Sequence, residues 1–405
     1  MENWNAHLAK YYAPKNFNFW YYFGGFAMLV LVIQIVTGIF LTMNYKPDAA
    51  QAFASVEYIM REVSWGWLIR YMHSTGASMF FLVVYLHMFR AMLYGSYRKP
   101  RELLWIFGML IYLVLMGEAF FGYLLPWGQM SFWGAQVIVN LFGAVPFIGP
   151  DLSLWIRGDY VVSDATLNRF FAFHVIALPL VLLGLVAAHL IALHEVGSNN
   201  PDGIEIKDKK DANGVPLDGI PFHPYYTVKD SFGAVVFLIV FSLILFFAPE
   251  MGGYFLEANN FLPADPLKTP LHIAPVWYFT PYYSILRAVP PLFDSQFPGV
   301  VAMGAATMIF FAMPWLDRSP VKSVRYKGPI FKAALAVFVV VFLILGYLGT
   351  EATNVWGQAG AWLGGAERAT VVARICTVIY FLFFLLMPWY TKIDSVKPVP
   401  ERVTG

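Results

Sequence analysis

Cysteine and charged residues are scarce in this 405-residue sequence. The single cysteine, Cys376, lies in an apolar run, which excludes a disulfide framework, a four-thiolate iron–sulfur cluster and a CxxCH haem attachment. Charged residues make up 13% of the chain, against about 25% in soluble domains. Hydrophobic residues reach 59% and the net charge is +2, which excludes a soluble enzyme, a disordered chain and a strongly basic nucleic-acid-binding protein. The composition indicates an integral membrane protein.

Long apolar runs account for this composition. About 20 mostly apolar residues cross a bilayer, and eight such runs occur, which we name helices A to H in chain order. They are Phe23–Met43, Tyr71–Phe89, Leu103–Leu125, Phe170–Leu193, Ser231–Pro249, Val300–Leu316, Ala333–Thr350 and Ile375–Thr391. The shorter stretch Val137–Ile148 predicts an interfacial helix between C and D. The predicted fold is therefore an all-α integral membrane protein with eight transmembrane helices.

Basic residues predict the orientation of these helices. Most of the 27 lysines and arginines fall on the side that holds both termini, so the positive-inside rule predicts cytoplasmic termini. Residues 1–18 are polar, and we expect no cleavable signal peptide. We predict three parts: residues 1–200 with helices A–D, a cytoplasmic loop at 201–228, and residues 229–405 with helices E–H. The long segments Met130–Arg169 and Glu250–Pro298 then face outward.

Four of the eight histidines lie inside predicted spans, where ionisable side chains are costly and usually functional. His73 and His87 on helix B are separated by about 21 Å along the helix and roughly 40° around it. His174 and His189 on helix D are separated by about 22 Å and roughly 60°. Each helix thus presents two imidazoles on one side at matching depths. This arrangement favours two metal ions or two haems at two levels, and four separate core histidines are the alternative.

Glycines on the neighbouring helices favour haem over bare metal ions. Gly24 and Gly38 on helix A, and Gly108 and Gly122 on helix C, repeat the 14-residue spacing of the helix B histidines. Glycine allows a flat ligand to approach a helix backbone, although small residues also serve ordinary helix packing in membranes. Together with the histidines, this pattern predicts haem at both levels.

Arginines lie within five residues of three of these histidines. They are Arg70, Arg90 and Arg169, and each falls near a predicted membrane boundary. A guanidinium there could pair with a haem propionate or extend to the membrane surface. We predict two haem b groups in a four-helix bundle of A–D, each with two histidine ligands. Two such haems, about 20 Å apart, pass electrons between the membrane faces.

Several long motifs carry a family resemblance. They are IRYMH at 69–73, GASMFF at 76–81, GSY at 95–97, GYLLPWGQMSFWG at 122–134, Arg169–His174, HEVGSNNP at 194–201, PYYTVKD at 224–230 and PVWY at 275–278. With these motifs the chain resembles the cytochrome b of cytochrome bc complexes, ubiquinol–cytochrome c oxidoreductases. The resemblance implies that His73 and His174 ligate a low-potential haem near the outer face. It also implies that His87 and His189 ligate a high-potential haem near the cytoplasm.

The same resemblance implies two sites for quinone, with ubiquinone as the family's usual substrate. At an outer site, which oxidises quinol, the matching residues are Tyr123, Gly134, Pro275, Trp277 and Tyr278. At an inner site, which reduces quinone, they are His194, Ser198, Lys229 and Asp230. A polar helix end is the alternative explanation for His194 and Asp230, although histidine and aspartate suit proton delivery.

The resemblance implies partners as well. One electron would pass to a Rieske iron–sulfur subunit and on to a membrane-anchored c-type cytochrome, and the other would cross both haems in a Q cycle that generates a proton gradient. A homodimeric complex in the bacterial inner membrane is implied, with no nucleic acid. The alternative is a dihaem membrane anchor of another quinone-linked dehydrogenase, but such anchors are shorter. We find no inverted repeat of the kind that secondary transporters show.

Three features depart from the family pattern. The outer motif usually reads Pro-Glu-Trp-Tyr, with a glutamate thought to accept a quinol proton, but Val276 stands at that position. We hypothesise that Glu250 or Glu118 replaces it. His174 and His189 are 15 residues apart where mitochondrial relatives have 14, and a kink at Pro179 could absorb the extra residue. Residues 251–260 form a lengthened loop.

Overall fold

Long helices dominate the computed structural model, which describes residues 11–271, 273–350 and 366–404. Helix A spans Tyr22–Thr42, B Gly66–Tyr94, C Glu102–Leu124, D Asp164–Val196, E Phe222–Phe247, F Phe297–Leu316, G Pro329–Thr350 and H Ala366–Leu385. In this described part, seven helices are long and apolar enough to cross a membrane, or eight if the bent pair that contains helix H is one span. The predicted all-α membrane fold is confirmed.

Helix H ends earlier than predicted. The sequence predicts one span over Ile375–Thr391, but helix H stops at Leu385 and a separate helix, Met387–Ile393, continues at an angle of 60°. Pro388 explains the break, because proline has no backbone N–H to donate and its ring clashes with the carbonyl group four residues earlier. Helix E, in contrast, begins before the predicted Ser231, so Lys229 and Asp230 lie within it.

The interfacial segment between helices C and D contains two helices rather than one. The first spans Gln129–Gly143 and the second Gly149–Arg157. Pro146 lies between them, where a proline does not continue a helix. The first helix is tied to the segment before helix F, because the Gln129 amide donates to the Leu262 carbonyl at 2.8 Å and the Ala264 amide donates to the Trp127 carbonyl at 3.0 Å.

The helices pack in two groups. Helix A packs mainly against B and helix C mainly against D, which forms the predicted four-helix bundle. Helices G and H pack together around a short helix, Thr280–Ala288, which also contacts helix F. Strand β1, Tyr12–Pro14, pairs antiparallel with strand β2, Gly219–Pro221, and so holds the chain before helix A beside the start of helix E. The division at residues 200 and 228 stays a prediction.

A buried ion cluster joins three loops at the other end of the bundle from the interfacial helices. Arg101, which is 2% exposed, forms a bidentate pair with Glu205 at 2.6 and 2.8 Å, and Lys322 also contacts Glu205 at 2.6 Å. Burial alone would raise the pKa of Glu205. The hydrogen bonds and charges of Arg101 and Lys322 outweigh this effect and hold the pKa of Glu205 below its ordinary value. The cluster therefore stabilises the fold at neutral pH, and this contribution is lost as the pH falls through the lowered pKa.

We expect Glu205→Gln to destabilise the protein by about 3 kcal/mol, because it leaves a buried guanidinium without its counter-charge. Thermal unfolding of the detergent-solubilised protein measures this effect. The matched control is Glu401→Gln, whose carboxylate is 91% exposed and 3.5 Å from Lys209; surface pairs contribute roughly 0–1 kcal/mol. Equal unfolding temperatures for the two variants would contradict this role of Glu205.

Candidate functional site

The four histidines inside the spans meet in two pairs. His73 on helix B faces His174 on helix D, with ring centroids 6.0 Å apart and nearly perpendicular rings. His87 faces His189 with ring centroids 6.4 Å apart and an angle of 65° between the rings. The two pairs lie at two levels of one bundle, as the spacing predicts, and each pair offers imidazole nitrogens from opposite helices. Two facing imidazoles are a suitable ligand set for a six-coordinate haem iron.

Each histidine is backed by one of the four glycines on helices A and C. A Cβ atom added to the glycine would lie 3.1 to 3.3 Å from the imidazole Cε1 in three pairs and 2.3 Å in the fourth. The pairs are Gly24 with His87, Gly38 with His73, Gly108 with His189, and Gly122 with His174. Ordinary van der Waals contacts of a Cβ begin near 3.4 Å. A side chain at these glycines would therefore displace the histidines, and the residues fit a haem at each level.

The three predicted arginines have different surroundings. Arg70 lines the cavity beside His73 and His174. Arg90 donates to Ser96 at 3.3 Å and lies over the Tyr21 ring, and its buried Nε has no hydrogen-bond partner among the described residues. Arg169 is exposed and donates to the Trp155 carbonyl of the second interfacial helix. The structure therefore does not bring Arg169 into the cavity.

The extra residue between His174 and His189 is accommodated by a π-helical turn. Residues Phe173–Ala177 form this turn, in which the Leu178 amide donates to the Phe173 carbonyl five residues earlier. A π turn is a one-residue insertion into an α-helix and is common at functional sites. Pro179, which we expected to absorb the residue by a kink, follows directly after the turn. His174 lies within the turn itself.

A cavity extends from the His73–His174 pair to the loops at the end of helix C, and we call it the outer cavity after the predicted orientation. Its lining includes Tyr123, Val276 and Tyr278 of the predicted quinol site. Gly134 packs on the Tyr123 ring, since an added Cβ would lie 3.4 Å from its Cε1. Trp277, which follows Pro275 and Val276 in the chain, donates a hydrogen bond to Ser78 on helix B at 3.2 Å. The structure thus brings the helix C, interfacial and PVWY residues together.

A chain of tyrosines holds the PVWY segment against helices B and C. The Tyr85 hydroxyl donates to the Tyr278 carbonyl at 2.5 Å, and the hydroxyls of Tyr85 and Tyr112 are 3.2 Å apart. Tyr112 also bonds to Tyr282 at 2.9 Å. The Tyr278 ring stacks on Phe81 at 3.9 Å and 5°. This network fixes the Tyr278 backbone and ring at the wall of the cavity.

The two carboxylates predicted to replace the missing glutamate lie in different places. Glu250 is partly buried after helix E and interacts with the Tyr71 hydroxyl. Glu118 lines the cavity, but its Oε1 lies 3.0 Å from Nδ1 of His174. Neither contact involves the PVWY segment.

A third carboxylate, Glu257, was not among the sequence candidates. It lies in the lengthened loop and accepts a hydrogen bond from the Tyr123 hydroxyl at 2.9 Å. Burial raises its pKa to about 7, although its own backbone amide and Tyr123 act in the opposite direction. Its neighbours Phe255 and Leu256 line the cavity. The lengthened loop was the only sequence signal for this residue.

The inner residues gather at the end of helix D and the start of helix E. Tyr11, before strand β1, bonds to the Ser198 side chain at 3.0 Å, and its ring lies 5.1 Å from that of His194. Lys229 donates to the Tyr225 hydroxyl at 2.8 Å, and Asp230 is exposed on the same helix. Tyr11, which sequence reasoning missed, also contacts Phe222 of helix E at 6.1 Å. The chain before helix A thus links the two groups.

Comparisons with known proteins find relatives that match almost the whole chain. The family model Cytochrome b/b6/petB matches residues 8–197, and the model Cytochrome b(C-terminal)/b6/petD matches residues 263–381. The cytochrome b of Allochromatium vinosum is 66% identical over 408 residues, covering 100% of this chain and 95% of that protein. The cytochrome b of Rhodospirillum rubrum is 48% identical over 402 residues, covering 98% and 92%. A solved structure described as "Hyperthermophilic respiratory Complex III" matches with a TM-score of 0.86 and 39% identity, over 97% of this chain and 96% of that one.

Fold, paired histidines and these matches define a multi-pass, haem-binding membrane cytochrome. More particularly, the chain belongs to the cytochrome b/b6 family.

We expect Gly122→Ala to reduce the haem b content of the purified protein, because the added methyl group would lie 2.3 Å from His174 Cε1. The pyridine haemochrome spectrum measures haem per protein. Gly184→Ala is the matched control on helix D, since no described atom lies within 4 Å of its added carbon. Full haem content in Gly122→Ala would show that close packing on His174 is not required.

Proposed function

We propose that this chain binds two haem b groups, one between His73 and His174 and one between His87 and His189. It is the cytochrome b core subunit of a respiratory complex III and acts as part of a quinol–cytochrome c oxidoreductase. The two histidine pairs at two levels, each backed by glycines, support the two-haem assignment. With two histidines to hold it at each level, a bound haem would supply one-electron transfer rather than oxygen binding.

At the outer cavity the chain binds and orients quinol for bifurcated oxidation. A quinol releases two electrons and two protons. One electron goes to a Rieske iron–sulfur subunit, which passes it to a membrane-anchored c-type cytochrome, and the other goes inward through the bundle. Tyr278 and Tyr123 line the cavity and form the aromatic wall that positions the ring, and Trp277 anchors the segment to Ser78 on helix B. Pro275 and Gly134 set the shape of that wall, and the Tyr85 bond to Tyr278 supports this role by holding the segment rigid.

Glu257 accepts a proton from the outer quinol, through or beside the Tyr123 hydroxyl. Val276 lines the cavity and has no proton-accepting group. Glu257 is bonded to a cavity-lining tyrosine, is partly buried, and has a pKa of about 7, which suits a general base at neutral pH. Glu250 and Glu118 are less suitable, because their contacts are with Tyr71 and His174.

At the inner site the chain reduces a second quinone, with ubiquinone as the expected substrate. His194 and Ser198 bind the quinone carbonyl groups beside Tyr11, and Lys229 and Asp230 deliver protons from the cytoplasm. The contacts of Tyr11 with both helix ends support a single pocket there. Uptake at this site and release at the outer site move protons across the membrane. The charge distribution favours cytoplasmic termini, and we expect the complex to be a homodimer.

We expect His189→Leu to lose the higher-potential of two b-haem waves in a redox titration, while the lower-potential wave remains. The reason is that leucine has no nitrogen to ligate the inner haem. Absorbance of the purified complex at poised potentials measures both waves. His223→Leu, which removes an exposed histidine outside the bundle, is expected to keep both. A single wave in the parent protein would contradict the two-haem assignment.

We expect Glu257→Gln to reduce quinol oxidation about 100-fold, a typical loss for a general base. In the parent, the rate rises with pH through about 7, because the carboxyl must lose its proton before it can accept one from quinol. This rise is absent in Glu257→Gln. Steady-state quinol–cytochrome c reduction between pH 5.5 and 8.5 measures both effects.

Two comparisons make this test specific. Glu62→Gln, an exposed residue near the start of helix B, is expected to keep both rate and pH profile. If Glu250→Gln rather than Glu257→Gln abolishes the pH-dependent rise, Glu250 is the proton acceptor and the assignment of Glu257 is wrong.

A further inference from the structure

In the outer pair, the ring nitrogen Nδ1 of each histidine lies within hydrogen-bond distance of an oxygen atom. Nδ1 of His174 lies 3.0 Å from Oε1 of Glu118 and 2.9 Å from the Glu118 backbone carbonyl. Nδ1 of His73 lies 2.9 Å from the Thr37 hydroxyl. If the iron is bound through Nε2, each Nδ1 carries the proton, which His174 donates to the Glu118 backbone carbonyl and His73 to the Thr37 hydroxyl. One ligand of the outer haem thus also has a carboxylate oxygen 3.0 Å from its Nδ1.

The inner histidines have a different environment. Nδ1 of His87 lies 3.4 Å from the Arg90 guanidinium, which is positively charged. Nδ1 of His189 faces the backbone of Leu104 and makes no regular hydrogen bond to any described residue. Among the four ligands, only His174 therefore has a carboxylate within hydrogen-bond distance in the described structure. A carboxylate thus lies beside one outer ligand, in a cavity that Arg70 also lines, and a guanidinium lies beside one inner ligand.

We propose that Glu118 is a positioning residue that lowers the reduction potential of the haem bound by His73 and His174. This inference rests on the proposed two-haem function. Reduction adds one electron to a ferric centre, which carries one more positive charge than the ferrous centre. A carboxylate beside the centre therefore stabilises the oxidised form more than the reduced form.

The hydrogen bond from His174 Nδ1 to the Glu118 backbone carbonyl acts in the same direction as the charge of the Glu118 side chain. An acceptor on Nδ1 makes the imidazole more basic and more electron-donating through Nε2, which also favours ferric iron. The side chains of Glu118 and His174 are only 16% and 17% exposed, so solvent screens the interaction little. Oε2 of Glu118 has no hydrogen-bond partner among the described residues. No second described hydrogen bond therefore draws this carboxylate away from His174.

The π-helical turn explains how His174 comes to face Glu118. His174 is the second residue of the turn at Phe173–Ala177, whose inserted residue changes the helical phase at this position. Gly122, one turn after Glu118 on helix C, leaves room for the ring. A lower potential at the outer level and the Arg90 charge at the inner level both favour electron transfer inward, from the quinol cavity toward His87 and His189.

The test is a redox titration of the purified complex carrying Glu118→Gln. Glutamine keeps the size of the side chain but removes its charge. We expect the lower-potential b-haem wave to move upward, with the ferrous-to-ferric ratio at a fixed potential rising about tenfold, which is about 59 mV for one electron. The higher-potential wave stays in place. The electron paramagnetic resonance signal of the outer ferric haem is also expected to shift, since it reports on the donor strength of its axial ligands.

Glu57→Gln is the matched control, because it removes an exposed carboxylate on the same side of the bundle, paired with Arg61 at 2.8 Å. It is expected to leave both waves unchanged. If Glu118→Gln does not retain the outer haem, Glu118→Asp can be tested in its place. Aspartate keeps the charge at a longer distance, so the potential of the lower wave is expected to rise by a smaller amount. Two waves in the parent with no shift in the haem-bearing variant would overturn this inference alone. A single wave in the parent would instead contradict the two-haem function.

Discussion

The packing of four imidazole rings against four glycines is the constraint on which the rest of the bundle depends. Histidines on helix B contact glycines on helix A, and histidines on helix D contact glycines on helix C. Because the glycines repeat at 14 residues, both contacts of helix A lie on nearly one face, which fixes its rotation against helix B. Helix C is fixed against D in the same way. The ligand pairs can therefore face each other at both levels.

The outer cavity uses the same frame. Helix B carries His73 and also Ser78, Phe81 and Tyr85, which hold the PVWY segment from the inner side. Helix C carries Gly122, which packs on His174, and the adjacent Tyr123, which lines the cavity. A shift of either helix would therefore change the geometry of the histidine pair and of the proposed quinol wall together. In the proposed function, this shared support keeps the outer haem close to the quinol that reduces it.

The sequence predicted the features that depend on periodicity within one helix. The histidine and glycine spacings, the eight apolar runs and the long motifs each follow a repeat that can be read locally. Features that depend on contacts across the fold were missed. Tyr123 and Glu257 are 134 residues apart, and Tyr11 and Ser198 are 187 apart, so no local pattern joins them. The π-helical turn was also missed, because it changes hydrogen bonding without changing hydropathy.

Val276, where the family resemblance predicts a glutamate, and Glu257, in the loop that the same resemblance predicts to be lengthened, have different surroundings. Val276 is 5% exposed and gives the cavity an apolar wall close to Tyr278. Glu257 is itself partly buried, but the loop around it is largely exposed, and one of its carboxylate oxygens meets Tyr123. In the proposed reaction, a carboxylate in such a loop lies close to both the cavity-lining Tyr123 and the solvent. The loop that supplies Glu257 must therefore be long enough to return from helix E to Tyr123, and residues 251–260 provide that length.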